Sequence, residues 1–457
     1  MAFPYDRHRC RLCRNAEPAV SNAGSPYTDR VAREDPDRLS VDDAHILALE
    51  SATITGHTLQ LAVLEPGTGP LDVDALRTSV AKRLPAERRA TQRVDTSGLA
   101  PRWVAATEFD ICEHVRRLTA PDCVSQADLW RAVSALMSQH LDRQRPLWTF
   151  DVIGPLGDGR EAIAVRIHHA MADGIAGVRF LDAVLWDPHL DPPGDTPGLR
   201  SAAECARLTE AWRMPGAVLR ELGHPGQRSP FDRPVTIARE LAFTVARLAE
   251  MKAIGASRAT RATVNDVLLA IVAGGLRAWL GVSAGARPHL HAQVPVSLHH
   301  REEAAGDLGN RDSFLNVDLP LGEPDPLARL DLISAETGER KQLGDAEELY
   351  HLFHALGRMK YIGSAAQRLA GSAREFSVSI SNVPGPSSLI SVAGRRVEHL
   401  FSSSEPAVHH ALRISAISCA GDVGIGLCTD PNALPDVARL AAAIDTAYAE
   451  LRSAAIG

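Results

Sequence analysis

Residues 161–174 read Glu161-Ala162-Ile163-Ala164-Val165-Arg166-Ile167-His168-His169-Ala170-Met171-Ala172-Asp173-Gly174, and the fold is decided there. Side chains on a strand point to opposite faces with period two. Ile163, Val165, Ile167 and His169 therefore share one face of a buried strand, while Ala164, Arg166 and His168 share the other. The second histidine follows the apolar face inward. Two further His-His pairs, His299-His300 and His409-His410, lack an Asp-Gly at the same offset. Asp173 can hold the loop or orient a ring nitrogen, and Gly174 permits a positive φ or a close backbone approach. Adjacent histidines on a strand point apart, so with a single carboxylate they do not complete a zinc-type site, and no metal is expected.

The neighbourhood extends the pattern. Phe150 to Ile153 forms a second strand, and the Gly-rich turn Gly154 to Gly159 joins the two as a hairpin. Upstream, Ser125 opens a helix with Asp128 at the capping-box position and Leu129, Val133, Leu136 and Met137 as its buried stripe. Downstream, a helix is expected over Val178 to Leu185. Prolines then crowd residues 187–234, which read as a linker with a short helix at Ser201 to Trp212.

Beyond the linker come a strand at Glu240 to Arg247, a helix, and a second helix over Val267 to Leu280 opened by Thr263-Val264-Asn265-Asp266. Strands follow at Ala292 to Val296, Phe314 to Leu319 and Phe376 to Ser381, then a hairpin of Ile414 to Cys419 with Val423 to Cys428. A final amphipathic helix buries Val437, Leu440, Ile444, Tyr448 and Leu451. Both halves mix strands and helices, which gives an α/β (α+β) class with two similar units, 37–186 and 235–457. Residues 1–36 are polar and read as a disordered tail. Its Cys10, Cys13 and His8 are too few for a structural zinc site.

Composition narrows the function. A chain of 457 residues exceeds a typical single core. Its 45% hydrophobic and 23% charged residues are those of an ordinary globular protein. A net charge of −7 provides no general attraction to nucleic acid. Seven scattered cysteines form no secreted disulfide framework, so a cytoplasmic setting is expected. The longest apolar run, Val267 to Leu276, is about half of what a bilayer span needs. Arg7, Arg9, Arg11 and Arg14 are followed by no apolar core of a signal peptide. Membrane contact is therefore expected to be peripheral, at the inner membrane face or at lipid inclusions.

A histidine with an ordinary pKa near 6.5 is suited to take a proton from a hydroxyl, a service that contributes about 10²–10⁴-fold. No serine sits in a G-x-S-x-G elbow, and Cys419 and Cys428 read as core residues. Direct transfer from a bound, activated donor is then favoured over a covalent acyl-enzyme.

These residues carry a family likeness. The chain resembles the bacterial wax ester synthase/diacylglycerol acyltransferases, within the CoA-dependent acyltransferase superfamily, whose HHxxxDG signature stands here as His168 to Gly174. Three further matches separate the branches: Pro146-Leu147-Trp148, Val264-Asn265-Asp266-Val267 and Ser381-Asn382-Val383-Pro384-Gly385-Pro386. Weaker matches include Leu39-Ser40-Val41-Asp42, Phe109-Asp110, His114-Val115-Arg116, Val294-Pro295-Val296-Ser297 and Gly309-Asn310-Arg311. They occur in family order from about residue 37 onward.

The resemblance implies two chloramphenicol-acetyltransferase-like subdomains in a V, with a tunnel at their interface. It implies transfer of a long-chain acyl group from acyl-CoA, a co-substrate, to diacylglycerol or a fatty alcohol, with no bound cofactor. His168, His169 and Asp173 are the catalytic candidates, with His169 as the base and Asp173 ordering the loop. Gly174 would keep the tunnel open. Asn265 and Asp266 would shape the site from the opposing half, Asn265 either polarising the oxyanion or capping its helix. Trp148 reads as packing, and Pro384-Gly385 as a turn near the crossover between the halves. The alternatives are transfer to another alcohol or polyketide-type acceptor, or an inactive acyl-lipid-binding homologue. No carrier-protein segment is present to support a peptide-synthetase module. Arg166 stands where the family commonly has Lys, the linker matches poorly, and the N-terminal extension has no counterpart.

Overall fold

The computed structural model describes residues 37–98, 100–118, 125–188, 229–283, 290–297, 312–343 and 376–457. The strands of the first sheet are β1 (His57–Leu64), β4 (Val115–Arg117), β5 (Trp148–Ile153), β6 (Glu161–His168), β11 (Ser391–Val392) and β12 (Arg395–Ser404). Those of the second are β7 (Glu240–Arg247), β8 (His291–Ser297), β9 (Asp312–Asp318), β10 (Val378–Val383), β13 (Leu412–Cys419) and β14 (Asp422–Thr429). A small ribbon pairs β2 (Gln92–Asp95) with β3 (Arg102–Ala105). The sheet orders are β11-β12-β1-β6-β5-β4 and β7-β14-β13-β10-β8-β9. The mixed α/β class expected from the sequence is what forms. The linker helix Ser201 to Trp212, the tail with Cys10 and Cys13, His299-His300 and Gly309-Asn310-Arg311 lie outside the described residues.

Period-two alternation builds the first sheet. β5 and β6 pair antiparallel as a hairpin, and β1 lies on the other side of β6. Ile163, Val165 and Ile167 bury against Trp148, Phe150 and the helix Gly174–Val184, which contributes Phe180, Leu181 and Val184. Ala162, Ala164, Leu59, Leu61 and Val63 face the helix Gln126–Met137, whose Leu129, Val133, Leu136 and Met137 fill that side. Ser125 and Asp128 close its capping box, as the sequence requires. The Gly174–Val184 helix begins earlier than the expected Val178, because the Asp173 carboxylate accepts the Ala176 N–H at 2.7 Å and caps it at Gly174. In the second sheet Leu412, Ile414 and Ala416 face the helices Val264–Leu280 and Val437–Ile456. β10 also runs two residues beyond the expected Ser381, pairing parallel with β13 through Val383.

One sheet does not equal one half of the chain. β11 and β12, from residues 391–404, complete the first sheet, with Thr58 opposite Ser404 and Gln60 opposite Ser402. The division at 187–234 therefore does not coincide with the division between sheets. The two sheets also meet through their backbones. Val423, Ile425 and Leu427 of β14 point to the helical core, and Gly424 and Gly426 point to β12. A β-carbon at Gly424 would stand inside contact distance of the Leu400 carbonyl oxygen, and one at Gly426 inside that of the Ser402 carbonyl. Glycine at alternate positions is what lets β12 lie across β14. No described helix is long and apolar enough to cross a membrane.

Gly426→Ala should lower stability by about 3 kcal/mol, since the obstacle is a carbonyl held in a sheet rather than a flexible side chain. Urea unfolding measures this, and a midpoint equal to the native chain's would contradict the strand crossing.

Candidate active site

Residues directly opposite in an antiparallel pair share a face. Thr58 opposes Ile167 and Gln60 opposes Val165, so both lie on the face that His169 continues. The His169 N–H donates to the Gly56 carbonyl at 2.8 Å, which prolongs the pairing past the end of β6. His169 opens on a cavity of about 110 Å³. The first sheet lines it with Thr58, Gln60, Ser402 and Ser404; the second adds Ser381, Asn382, Val383, Arg413 and Ile417. Gly174 and Ile175 close it at the start of their helix. Burial, helped by the Arg413 charge, pushes the His169 imidazole down to about 4 from its ordinary 6.5, so the ring is neutral at pH 7.

His168 faces the other way. It is 1% exposed. Its Nδ1 accepts the Ala170 N–H at 3.1 Å, and its Nε2 lies 3.4 Å from the Glu50 carboxylate. Opposite it, His57 is sealed, and burial together with Arg166 and His168 holds its pKa well below the usual range. Arg166 shares this face and is tied down by the Leu136 carbonyl at 3.0 Å, the Gln139 carbonyl at 3.2 Å and Asp151 at 3.3 Å.

The loop beneath the histidines is clamped from far along the chain. The Glu405 carboxylate accepts from the Thr55 N–H at 2.8 Å, the Thr55 hydroxyl at 3.1 Å and the Gly56 N–H, and Arg239 stands 3.2 Å away. Gly56 has φ +74, and a β-carbon there would collide with His168 Nε2. Only glycine meets both conditions.

Such an arrangement places a neutral base at the meeting of two sheets beside a cation and several hydroxyls, a setting for proton abstraction and group transfer. Residues 39–204 match the wax ester synthase/diacylglycerol acyltransferase catalytic domain, and residues 308–452 match the C-terminal domain of the same family. A Mycobacterium bovis protein carrying the name diacylglycerol O-acyltransferase is 31% identical over 447 residues, 87% of each chain. The chain belongs to the wax ester synthase/diacylglycerol acyltransferase family. It is an acyltransferase. A Mycobacterium tuberculosis relative with the diacylglycerol O-acyltransferase name is 28% identical, over 86% of this chain and 90% of its own. The solved wax ester synthase/diacylglycerol acyltransferase of Marinobacter aquaeolei VT8 superposes with a TM-score of 0.70 at 25% identity, covering 92% of this chain and all of that one. A condensation domain of the calcium-dependent antibiotic synthetase shares the fold, with a TM-score of 0.61 at 15% identity over 92% of this chain and 96% of its own.

Within this acyltransferase the family motifs fall unevenly. His169 and Gly174 meet at the cavity, with Asp173 buried immediately behind as the helix cap. A β-carbon at Gly174 would stand 2.7 Å from Val383 Cγ2, so the missing side chain lets the helix start against the end of β10. Asn265 and Asp266 do not line the cavity. The cap of their helix is Thr263, not Asn265, and Asp266 completes the capping box while also accepting the Thr337 hydroxyl at 2.7 Å. Trp148 is packing: fully buried, with its indole N–H on the Ala90 carbonyl at 2.9 Å. His410 stacks on Phe376 at 3.9 Å. Burial pushes the thiols of Cys419 and Cys428 up to about 11 and about 12, which leaves neither as a nucleophile at neutral pH. Among the described residues no three His, Cys, Asp or Glu side chains converge to hold a metal ion.

Thr58, Gln60, Ser402, Ser404, Arg413 and Glu405 were not signalled by any motif. Thr58, Gln60 and Arg413 leave only a trace of polar residues at alternate positions in apolar strands, and Ser402, Ser404 and Glu405 sit in the polar run Ser402-Ser403-Ser404-Glu405.

Asp173→Ala should cost about 1 kcal/mol of stability through the lost cap, whereas Asp173→Asn should cost much less because Asn caps equally well. Thermal unfolding of the two variants checks this; equal losses would show that capping is not what the side chain supplies.

Proposed function

We propose that this acyltransferase moves a long-chain acyl group from acyl-CoA to the hydroxyl of diacylglycerol, with long-chain alcohols as second acceptors, and that His169 is its general base. One observation carries the reading: of the two adjacent imidazoles, only His169 opens on the cavity between the sheets. A neutral ring nitrogen takes the acceptor's proton as its oxygen attacks the thioester carbonyl. Negative charge then develops on the carbonyl oxygen in a cavity that Arg413 also lines. Collapse breaks the carbon–sulfur bond, and the departing thiolate takes the proton from the imidazolium, leaving an ester and free CoA. The thioester supplies the activation, so no further cofactor is needed. Asp173 and Gly174 set the start of the helix at the cavity, and His168 supports the strand end from its opposite face. Both substrates are lipids, and the reading places the protein against a membrane or lipid-inclusion surface rather than through it.

CoA release from palmitoyl-CoA in the presence of diacylglycerol tests this directly. His169→Ala should abolish release, and His168→Ala should leave measurable turnover; equal activities would sink the assignment. Substituting hexadecanol reads the wax ester activity in the same assay.

The acid side follows from the depressed pKa. A lower folded pKa keeps the base unprotonated to lower pH, so kcat/KM should stay level from about pH 8 to about 5.5. An acid limb centred near 6.5 would show His169 to be solvated like a free imidazole.

A further inference from the structure

Glu405 takes no part in the reading above, yet the backbone of His169 rests on it through one intervening residue. The last ladder pair between β1 and β6 is His57 with His168. His169 lies one step beyond that pair, and its N–H is held there by the Gly56 carbonyl at 2.8 Å. On the other side of β1 the pairing stops at the same level, with Ser404 of β12 opposite Thr58 and Pro406 following in the chain. Glu405 stands between them, 9% exposed. Its carboxylate accepts from the Thr55 N–H at 2.8 Å, the Thr55 hydroxyl at 3.1 Å and the Gly56 N–H. A side chain thus continues the pairing that the backbone of β12 gives up. Gly56 passes the restraint on, since its N–H goes to Glu405 and its carbonyl receives His169. Arg239 grips the same segment: its Nη2 donates to the Thr53 carbonyl and lies 3.2 Å from the Glu405 carboxylate.

We propose that Glu405 is a positioning residue for the acyl transfer: through the Gly56 peptide, its carboxylate sets where the His169 imidazole stands in the cavity. The inference rests on His169 being the base. A base must come within hydrogen-bond reach of the proton it takes. A misplacement of about 1 Å, even one caused far from the chemistry, can cost about 10²-fold in rate. Desolvating a carboxylate and a guanidinium is costly, and a neutral amide could tie down a loop without that cost. What the charge adds is strength, because hydrogen bonds from backbone N–H to a carboxylate are about twice as strong as neutral ones. That strength is placed where the ladder has ended and the base begins. Glu405 lies 349 residues from Gly56, so the base is seated only once the segment after β12 has joined the first sheet.

The test uses the full chain and CoA release from palmitoyl-CoA with diacylglycerol, at a temperature where circular dichroism shows each variant folded. Glu405→Gln keeps the shape, removes the charge and replaces one acceptor oxygen with a donor. Its kcat should fall about tenfold to 10²-fold, with KM for palmitoyl-CoA within about twofold of the native value. Because that variant leaves Arg239 unmatched, the double variant Glu405→Gln/Arg239→Gln is measured beside it. Removing both charges should bring the urea midpoint back toward the native one and leave kcat low. Thr55→Val takes away one of the three bonds and no charge, and should lower kcat about threefold at native KM. It decides the question if neither charge variant folds, a native kcat then overturning the proposal. A kcat for Glu405→Gln within about twofold of native overturns it too. So does a kcat that recovers with the midpoint in the double variant, since the carboxylate then serves stability alone. A raised KM at native kcat also overturns it and assigns Glu405 to substrate binding. His169→Ala with native kcat overturns the base assignment and this proposal together, whereas an inactive His169→Ala beside a fully active Glu405→Gln overturns this one alone.

Discussion

The crossing of β12 over β14 is the contact on which the site depends. Sheets usually face one another through side chains, at a spacing near 10 Å. Here two glycines at alternate positions remove the side chains, and the carbonyls of Leu400 and Ser402 lie against the bare backbone of the other sheet. β12 is at once a strand of the first sheet, paired to β1, and the element pressed on the second. That fixes the relation of the walls that Ser402, Gln60, Arg413 and Ser381 present to His169.

Period two divides the labour between the two histidines. One residue of offset sends His169 to the cavity and His168 to a sealed polar layer with Glu50, His57 and Arg166. Buried charges in that layer are matched, Arg166 with Asp151 and Arg239 with Glu405, and the half-exposed Arg143 pairs with Glu50 at its edge. Unmatched, each buried charge would be strongly destabilising. Glu405 connects the layer to the cavity, since it holds the Thr55–Gly56 segment whose Gly56 carbonyl receives the His169 N–H. The cation at Arg413 and the burial of the ring act together to keep that imidazole neutral.

Much of the fold is legible locally. Alternation marks β6, turn-bounded strand segments mark β5, β7, β13 and β14, and the Ser125–Asp128 pair marks its helix start. Local rules leave some ends open: Asp173 orders its loop by capping a helix, and the helix therefore starts at Gly174 rather than at the expected Val178. Asn265 could have capped its helix, but Thr263 precedes it with Asp266 three residues on, and the capping box prevails. The placement of residues 391–404 in the first sheet was not legible at all. Strand partners far apart in sequence leave no periodic trace.

The sequence by itself determined the histidine-bearing strand, the side on which each histidine emerges, the family and the acyl-transfer chemistry that the motif implies. Those are consequences of near neighbours: alternation, capping and a short signature. Only the tertiary structure decided what surrounds His169. Gln60, Ser402, Arg413 and Glu405 reach the site from β1, β12, β13 and the segment after β12, and each looks unremarkable in its own stretch of chain. Their convergence is set by backbone pairing and by two glycines that admit a crossing strand, and such long-range contacts are invisible to any local pattern.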